Sequence, residues 1–426
     1  MRLRLLVCVA MLFVLAACDS DSDDRAAPEP SPSASANRPA LPEGWRWEFY
    51  HDVAVGVPGD WGYGGYGRWS AWCANGAGQE PAIGRPGMVL TVLCWDPKKG
   101  GVNPGSLVSN TGPFVAFAGD SGLDLSEEGD RKIVRAGSGG VIIQAPAELR
   151  AQIAATVHAF EGADLNSCPT SHPISADAAY SPTAVDGRSV SGTESISVCK
   201  YPLPRQPTAP ATGPALISSL KLVGGDADHA IAAILAAPTG GGPNRTDPRK
   251  CSLDYGYGDE AYVVRIERAG LAPAEIVVHY SGCAHNGFDN GRTVRTLTAE
   301  GLAWLVGDPN QPSGFIGDRG MPGLITRART LAASIARNPG TGGVPHVLKT
   351  HCGIWSATVA GVLWLAEPPL HDDSDNPPPG WDTPEAPGMF VQRSETAAEF
   401  TADNGATAQF RRAPAGAKDP YPQECN

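Results

Sequence analysis

Hydrophobic positions along the chain fall into three patterns. The first is an unbroken apolar block, Leu5 to Ala16, behind Arg2 and Arg4. It has the length of a secretory h-region and falls short of a bilayer span, which needs roughly 20 apolar residues. The second pattern, Asp19 to Ala40, is Ser, Pro, Ala and Asp with almost nothing to bury, so it is expected to be a disordered tether. As a flexible coil it spans roughly 25 Å.

The third pattern begins near residue 41 and alternates. Trp45, Trp47 and Phe49 occur at every second position, as do Val53, Val55 and Val57, which predicts strands with one buried face. Met88 to Trp95, Phe114 to Ala118, Arg131 to Arg135 and Val141 to Gln144 continue the series. Leu149, Ile153, Val157 and Phe160 then recur at helical spacing and predict a helix over about 146–160, with Pro146 in its first turn. A second run has strands ending near Cys199 and Val223, then a helix through Ala227, Ile231, Ile234 and Leu235 with Asp226 as N-cap. Tyr262 to Glu267 and Glu275 to Tyr280 read as a hairpin. A strand near Val294 and a helix over Ala299 to Val306, capped by Thr298, close this run. Leu324, Ala328, Leu331 and Ile335 form a helical stripe in a loop-rich stretch, and that helix is expected to dock on a neighbouring domain. The remainder is all strands: Val347 to Trp355, Val359 to Leu365, Met389 to Gln392, Ala397 to Ala402 and Ala406 to Arg411. Asn404-Gly405 is a strong hairpin signal and predicts Ala402 opposite Thr407 and Phe400 opposite Gln409.

The predicted fold class is α+β, with two small disulfide-stapled α+β units followed by an all-β C-terminal unit. The expected boundaries are 1–17 signal peptide, 18–40 tether, 41–167 N-terminal domain, 168–308 middle domain, 309–345 linker with a short helix, and 346–426 C-terminal domain.

Composition refines this picture. The chain has 426 residues, 42% hydrophobic and 18% charged, which suits globular domains with proper cores. Its net charge is −12, and it becomes more negative once Arg2 and Arg4 leave with the signal. That balance argues against nucleic acid and against a polybasic grip on anionic lipid. Of ten cysteines, Cys8 lies in the signal and Cys18 directly after it. The other eight form an even set suited to disulfides in an exported chain. They are expected to join as successive pairs: Cys73 with Cys94, Cys168 with Cys199, Cys251 with Cys283, and Cys352 with Cys425.

Leu15-Ala16-Ala17-Cys18 looks like a bacterial lipobox. It implies that Cys18 becomes the first mature residue and carries acyl chains such as palmitate, each buried CH₂ contributing about 0.8 kcal/mol to membrane anchoring. The expected location is the extracytoplasmic face of the cell membrane. Thr350-His351-Cys352-Gly353-Ile354, Trp364 with Pro368-Pro369, and Asn376-Pro377-Pro378-Pro379-Gly380-Trp381 resemble a C-terminal module of actinobacterial secreted lipoproteins. Gly44-Trp45-Arg46-Trp47-Glu48, Ile83-Gly84-Arg85-Pro86-Gly87 and Cys251 through Cys283 to Asn290-Gly291-Arg292 are similar to earlier regions of such proteins. The resemblance implies location and no particular chemistry.

Chemical signals are sparse. Gly119-Asp120-Ser121-Gly122 has the look of a serine-protease nucleophile motif, but a triad needs a poised histidine and a carboxylate. His51 is the sole upstream histidine of the mature chain. The catalytic residues are therefore unknown, and a serine-type hydrolase acting on wall or lipid material is the alternative reading. His279, His285 and Asp289, and separately His346 and His351, lack convincing ligand spacing, so no metal and no cofactor is expected. Asp372, Asp373, Asp375 and Asp382 read as a solvated acidic loop. Most of the N-terminal aromatics are expected in the core. Trp61, Tyr63, Tyr66 and Trp69, in a glycine-rich stretch, are the candidate ligand-contacting aromatics. The sequence thus points to a non-enzymatic envelope protein, attached to the lipid bilayer through acylated Cys18, that binds an envelope protein or wall polysaccharide.

Overall fold

The structure, a computed structural model, describes residues 39–63, 81–85, 94–96, 101–103, 112–119, 130–184, 193–204, 213–244, 260–282, 285–312 and 320–421. The N-terminal strands are β1 (Trp45–Tyr50), β2 (Val53–Pro58), β3 (Ala82–Gly84), β4 (Cys94–Asp96), β5 (Gly101–Asn103), β6 (Phe114–Gly119), β7 (Arg131–Ala136) and β8 (Gly139–Gln144), followed by helix α1 (Ala147–Thr156) and β9 (His158–Ala159). They form a β1-β2-β9 sheet, a β3-β6-β8-β7 sheet in which β3 runs parallel to β6, and a β4-β5 ribbon. Val53, Val55, Val57, Val115, Phe117, Val141, Ile143 and Ile153 fill the core beneath α1. Gly56 lets both Leu41 and the end of α1 come close: a Cβ there would meet Leu41 at 2.3 Å and Thr156 at 3.2 Å, and its amide donates to Thr156 Oγ1.

The α1 helix is shorter than its apolar spacing predicts. Val157 is extended, and His158 and Ala159 pair with β2 instead. Phe160 therefore leaves the helix and meets Phe49 edge-on. Pro146 lies one position earlier than expected, at the N-cap.

The middle strands are β10 (Thr193–Pro202), β11 (Ser218–Val223), then helix α2 (Gly225–Ala236), β12 (Glu260–Arg268), β13 (Ala274–His279), β14 (Gly287–Asp289) and β15 (Val294–Arg295). Two helices follow, α3 (Ala299–Ala303) and α4 (Gly320–Arg337). The sheet order is β11-β10-β12-β13-β14-β15, all antiparallel, with β11 at one edge. Both of its faces are covered, where alternation alone predicts one. Ile196, Val198, Tyr262, Val264 and Val278 face the helices, whereas Cys199, Tyr201, Ala261, Val263 and Val277 face a layer containing Cys168 and Ile174. The Cys168–Cys199 disulfide fastens that layer to β10. Thr298 caps α3 as expected, accepting from the Gly301 amide. In α2 the N-cap is Gly224, and Asp226 sits inside the first turn. A carboxylate there still complements the helix dipole.

The C-terminal strands are β16 (Val344–Lys349), β17 (Ile354–Val359), β18 (Val362–Leu370), β19 (Glu385–Gln392), β20 (Ala397–Ala402) and β21 (Thr407–Arg412). They form an antiparallel sheet in the order β16-β19-β20-β21-β18-β17, and its two end strands lie near each other, so it approaches a barrel. The Asn404-Gly405 hairpin exists, but its register is shifted by one residue from expectation. Thr401 faces Thr407, Phe400 faces Ala408 and Glu399 faces Gln409. The predicted register puts Gln409 opposite Phe400, on the core face. The observed one places Phe400, Ala408 and Phe410 inside together, as period-two burial requires.

From Ala40 onward the chain clusters as one compact unit. The expected linker contains α4, whose Met321, Ile325, Ala328, Leu331 and Ala332 are buried in the middle core, while its other contacts reach β16 and β19. It is an 18-residue structural helix. Among the described residues no helix is long and apolar enough to cross a membrane.

Candidate functional site

Beside its buried stripe, α4 presents a second one, Thr326, Arg329, Thr330, Ala333, Ala336 and Arg337. With 3.6 residues per turn, these positions share one flank. That flank forms one wall of a cleft of about 720 Å³. The cleft is also lined by Leu220, Lys221 and Leu222 of β11 and by Ala303, Trp304 and Val306. Consecutive strand residues alternate faces. That all three line one cleft means the cleft meets β11 at its edge.

The loop after α3 brings Asp308 and Gln311 into the same cleft. Buried polar groups of the sheet hold this loop from behind. Lys200 Nζ donates to the Gln311 carbonyl at 2.6 Å and lies 3.0 Å from Glu260, both side chains being 1% exposed. Tyr280 donates to Glu260 at 2.6 Å, Tyr262 donates to the Asn310 carbonyl, and Asn310 Nδ2 donates to Val198 O at 2.9 Å. Burial pushes the Asp308 carboxyl above its ordinary range, against the pull of Gln311 and Arg329. Arg329 donates to Gln311 Oε1 at 3.3 Å. At the other end, Asp403 accepts from Ser334 and Arg337. The Trp304 indole N–H and Asp403 Oδ1 are buried without a hydrogen-bond partner.

A smaller hollow of about 190 Å³ shares Leu220 and is lined by Arg46, Glu48, Tyr63 and Arg85. Glu48 is 2% exposed. It accepts from Arg46 at 2.8 Å, from Arg85 at 2.6 Å and from the Tyr63 hydroxyl. The two guanidiniums lie 5.1 and 5.7 Å from the Tyr63 ring centroid. Burial first, then the Glu48 charge, pushes the Tyr63 phenol far up. This is a closed, mutually satisfied cluster.

The expected exposed aromatic patch is not what Trp61 and Tyr63 form. Trp61 is 4% exposed and belongs to the N-terminal core, and Tyr63 is engaged by Glu48 and the two arginines. Their backbone is held by β-sheet contacts, Ile83 N–H donating to Gly62 O, which turns the rings inward. Tyr66 and Trp69 lie outside the described residues, as do Cys18, Cys73, Cys251, Cys283, Cys425 and Ser121. Cys94 is in β4. Cys168 and Cys199 are joined as expected, and Cys352 is disulfide-bonded.

Two histidines outside the cleft, His172 and His346, have structural neighbours. His172 accepts the Ile174 amide on Nδ1 and meets Glu275 at 3.3 Å through Nε2. That contact holds the Glu275 carboxyl down despite its burial. His346 sits edge-on to Phe390 and Phe400, and burial pushes it down to about 4. Among the described residues no group of three His, Cys, Asp or Glu could hold a metal ion. Sequence reasoning missed the cleft and the Glu48 cluster. Arg46 and Glu48, two apart on a strand of aromatics, were the local signal for the cluster.

Searches of protein families, curated proteins and solved structures find no match for this chain.

Proposed function

We propose that this chain is a non-enzymatic binding protein of the cell envelope, held at the extracytoplasmic membrane face by acylated Cys18, that receives its ligand between β11 and α4. The observation that carries the reading is the cleft itself. Its volume lies in the range of ligand sites, and its walls are largely apolar with a few fixed polar groups, the usual composition of such sites. The tether from Asp19 to Ala40 supports it, since an acidic body with no lipid-binding patch in its composition needs an anchor to stay at the membrane. Cys73–Cys94, Cys251–Cys283 and Cys352–Cys425 complete the proposed staples of three successive units in an oxidised chain.

Two measurements test it. Cys18→Ala should move the protein from the membrane to the soluble fraction and abolish palmitate labelling; unchanged fractionation overturns the anchor. Ala333→Trp, which fills the cleft, should reduce co-sedimentation with purified cell wall or cross-linking to envelope proteins. Unaltered capture overturns the cleft as the binding site.

A further inference from the structure

We propose that Asn290 is a self-modification site: the turn from β14 to β15 drives its cyclisation onto Gly291 and its conversion to aspartate and isoaspartate. Asn-Gly pairs are open to this chemistry, because glycine puts no side chain in the way of its own amide. The chain has four, beginning at Asn75, Asn286, Asn290 and Asn404. The first lies outside the described residues, and the surroundings of the other three differ.

At Asn290 both reacting groups are engaged in the sense the reaction needs. The Gly291 amide, the nucleophile, donates to Asp289 Oδ1 at 2.8 Å, so its proton already points at a carboxylate that can draw it off. The carbonyl under attack is that of the Asn290 side chain. Its Oδ1 accepts from the Arg292 amide at 3.1 Å and the Thr293 amide at 2.8 Å. These two donors are placed as in an oxyanion hole, where they stabilise the charge that develops on that oxygen. Ser181 Oγ donates to the other Asp289 oxygen at 2.7 Å and fixes the carboxylate. The nucleophile is fixed too. Gly291 has φ +77° and packs against the backbone of Pro182 to Ala184, where a Cβ would meet Pro182 O at 2.1 Å. Asp289, Asn290 and Gly291 are half-buried, which leaves water within reach for the last step.

Gly291 N bonds to Asn290 Cγ, the Cγ–Nδ2 bond breaks, and the amide proton passes by way of Asp289 to the departing nitrogen, which leaves as ammonia. One water then opens the five-membered imide, at the side-chain carbonyl to give aspartate or at the backbone carbonyl to give isoaspartate. Either product adds a negative charge beside Asp289. Isoaspartate also lengthens the backbone of the turn that pairs Asp289 with Val294.

The other two described pairs lack this arrangement. Asn286 is 2% exposed, and its Nδ2 donates to Pro243 O and Gly282 O, so the nitrogen that must leave is held. The Gly405 amide donates to Ala402 O, a carbonyl rather than a base, and Asn404 Nδ2 is held by Gly380 O.

The test is peptide mapping of the detergent-solubilised full-length chain, aged in mildly alkaline buffer. Tandem mass spectrometry reads the conversion at each asparagine, and the same chain unfolded in urea supplies the intrinsic rates. In the folded wild type, Asn290 should convert about tenfold or more faster than in urea, while Asn286 and Asn404 convert more slowly than in urea. Asp289→Asn keeps the shape and removes the base, and should lower the Asn290 rate by about tenfold or more. Continued protection of Asn286 in that variant shows that the fold is intact. An Asn290 rate in the folded wild type at or below its rate in urea overturns the proposal, whether or not the variant folds. So does a folded Asp289→Asn chain that converts as fast as the wild type, or a folded wild type in which Asn286 or Asn404 reacts before Asn290.

Discussion

Glu48 is a buried carboxylate shared by two arginines, with Arg85 at 4% exposure beside it. Removing one partner of a buried ion pair leaves an uncompensated charge, which costs about 3–5 kcal/mol. Glu48→Gln keeps the volume and deletes the charge, so urea unfolding should show a loss of that size. A loss below about 1 kcal/mol, the scale of an exposed pair, would show that the arginines find other partners. His346 makes a different prediction. Its folded pKa, about 4, lies below the ordinary 6.5, so the unfolded chain takes up the proton first. The stability it contributes is therefore full above pH 6.5 and is lost as pH falls toward 4, with a slope approaching about 1.4 kcal/mol per pH unit. His346→Leu should flatten the stability profile in that window relative to the wild type. Glu275, whose pKa is lowered by His172, loses its contribution at more acidic pH in both proteins and so cancels in the comparison.

At the scale of elements, α4 has the most to lose. Leu331 is fully buried against the middle core, and Leu331→Ala should cost about 2–5 kcal/mol by chemical denaturation. The stripe containing Leu331 was legible in the sequence, as were most strands, the β12–β13 hairpin and the Thr298 cap, because each rests on local periodicity or one side chain. Three other features were not. The end of α1 at Val157 depends on β9 finding β2, a partner about a hundred residues away in the chain. The register across Asn404-Gly405 depends on which face of β21 the barrel core demands. Trp61 and Tyr63 sit in glycine-rich sequence that reads as surface, yet Ile83, Arg46 and Arg85 bring them inside. The cleft was least legible. Leu216 to Val223 reads as a strand, but nothing in those residues says that it ends a sheet, and Asp308, Gln311 and Arg329 become neighbours only once α4 has docked.

For the whole molecule, the sharing of α4 between the middle core and the C-terminal sheet predicts coupled unfolding. Chains of this length commonly melt domain by domain. Here a calorimetric scan should give one dominant transition, with Leu331→Ala lowering its midpoint as a whole. Two well-separated transitions, with only one of them shifted by the variant, would show that the helix belongs energetically to a single unit.

The place of β11 at the end of its sheet also bears on how the protein behaves in the tube. The C-terminal sheet brings β16 and β17 near each other and so shortens the edges it offers to a stranger. Among the described residues no strand pairs with the outer side of β11 beyond Leu220, and unprotected edges recruit other edges. Concentrated stocks stored without ligand should therefore turn cloudy by edge-to-edge aggregation. A proline placed near Val223 would act as a solubility aid during purification and crystallisation.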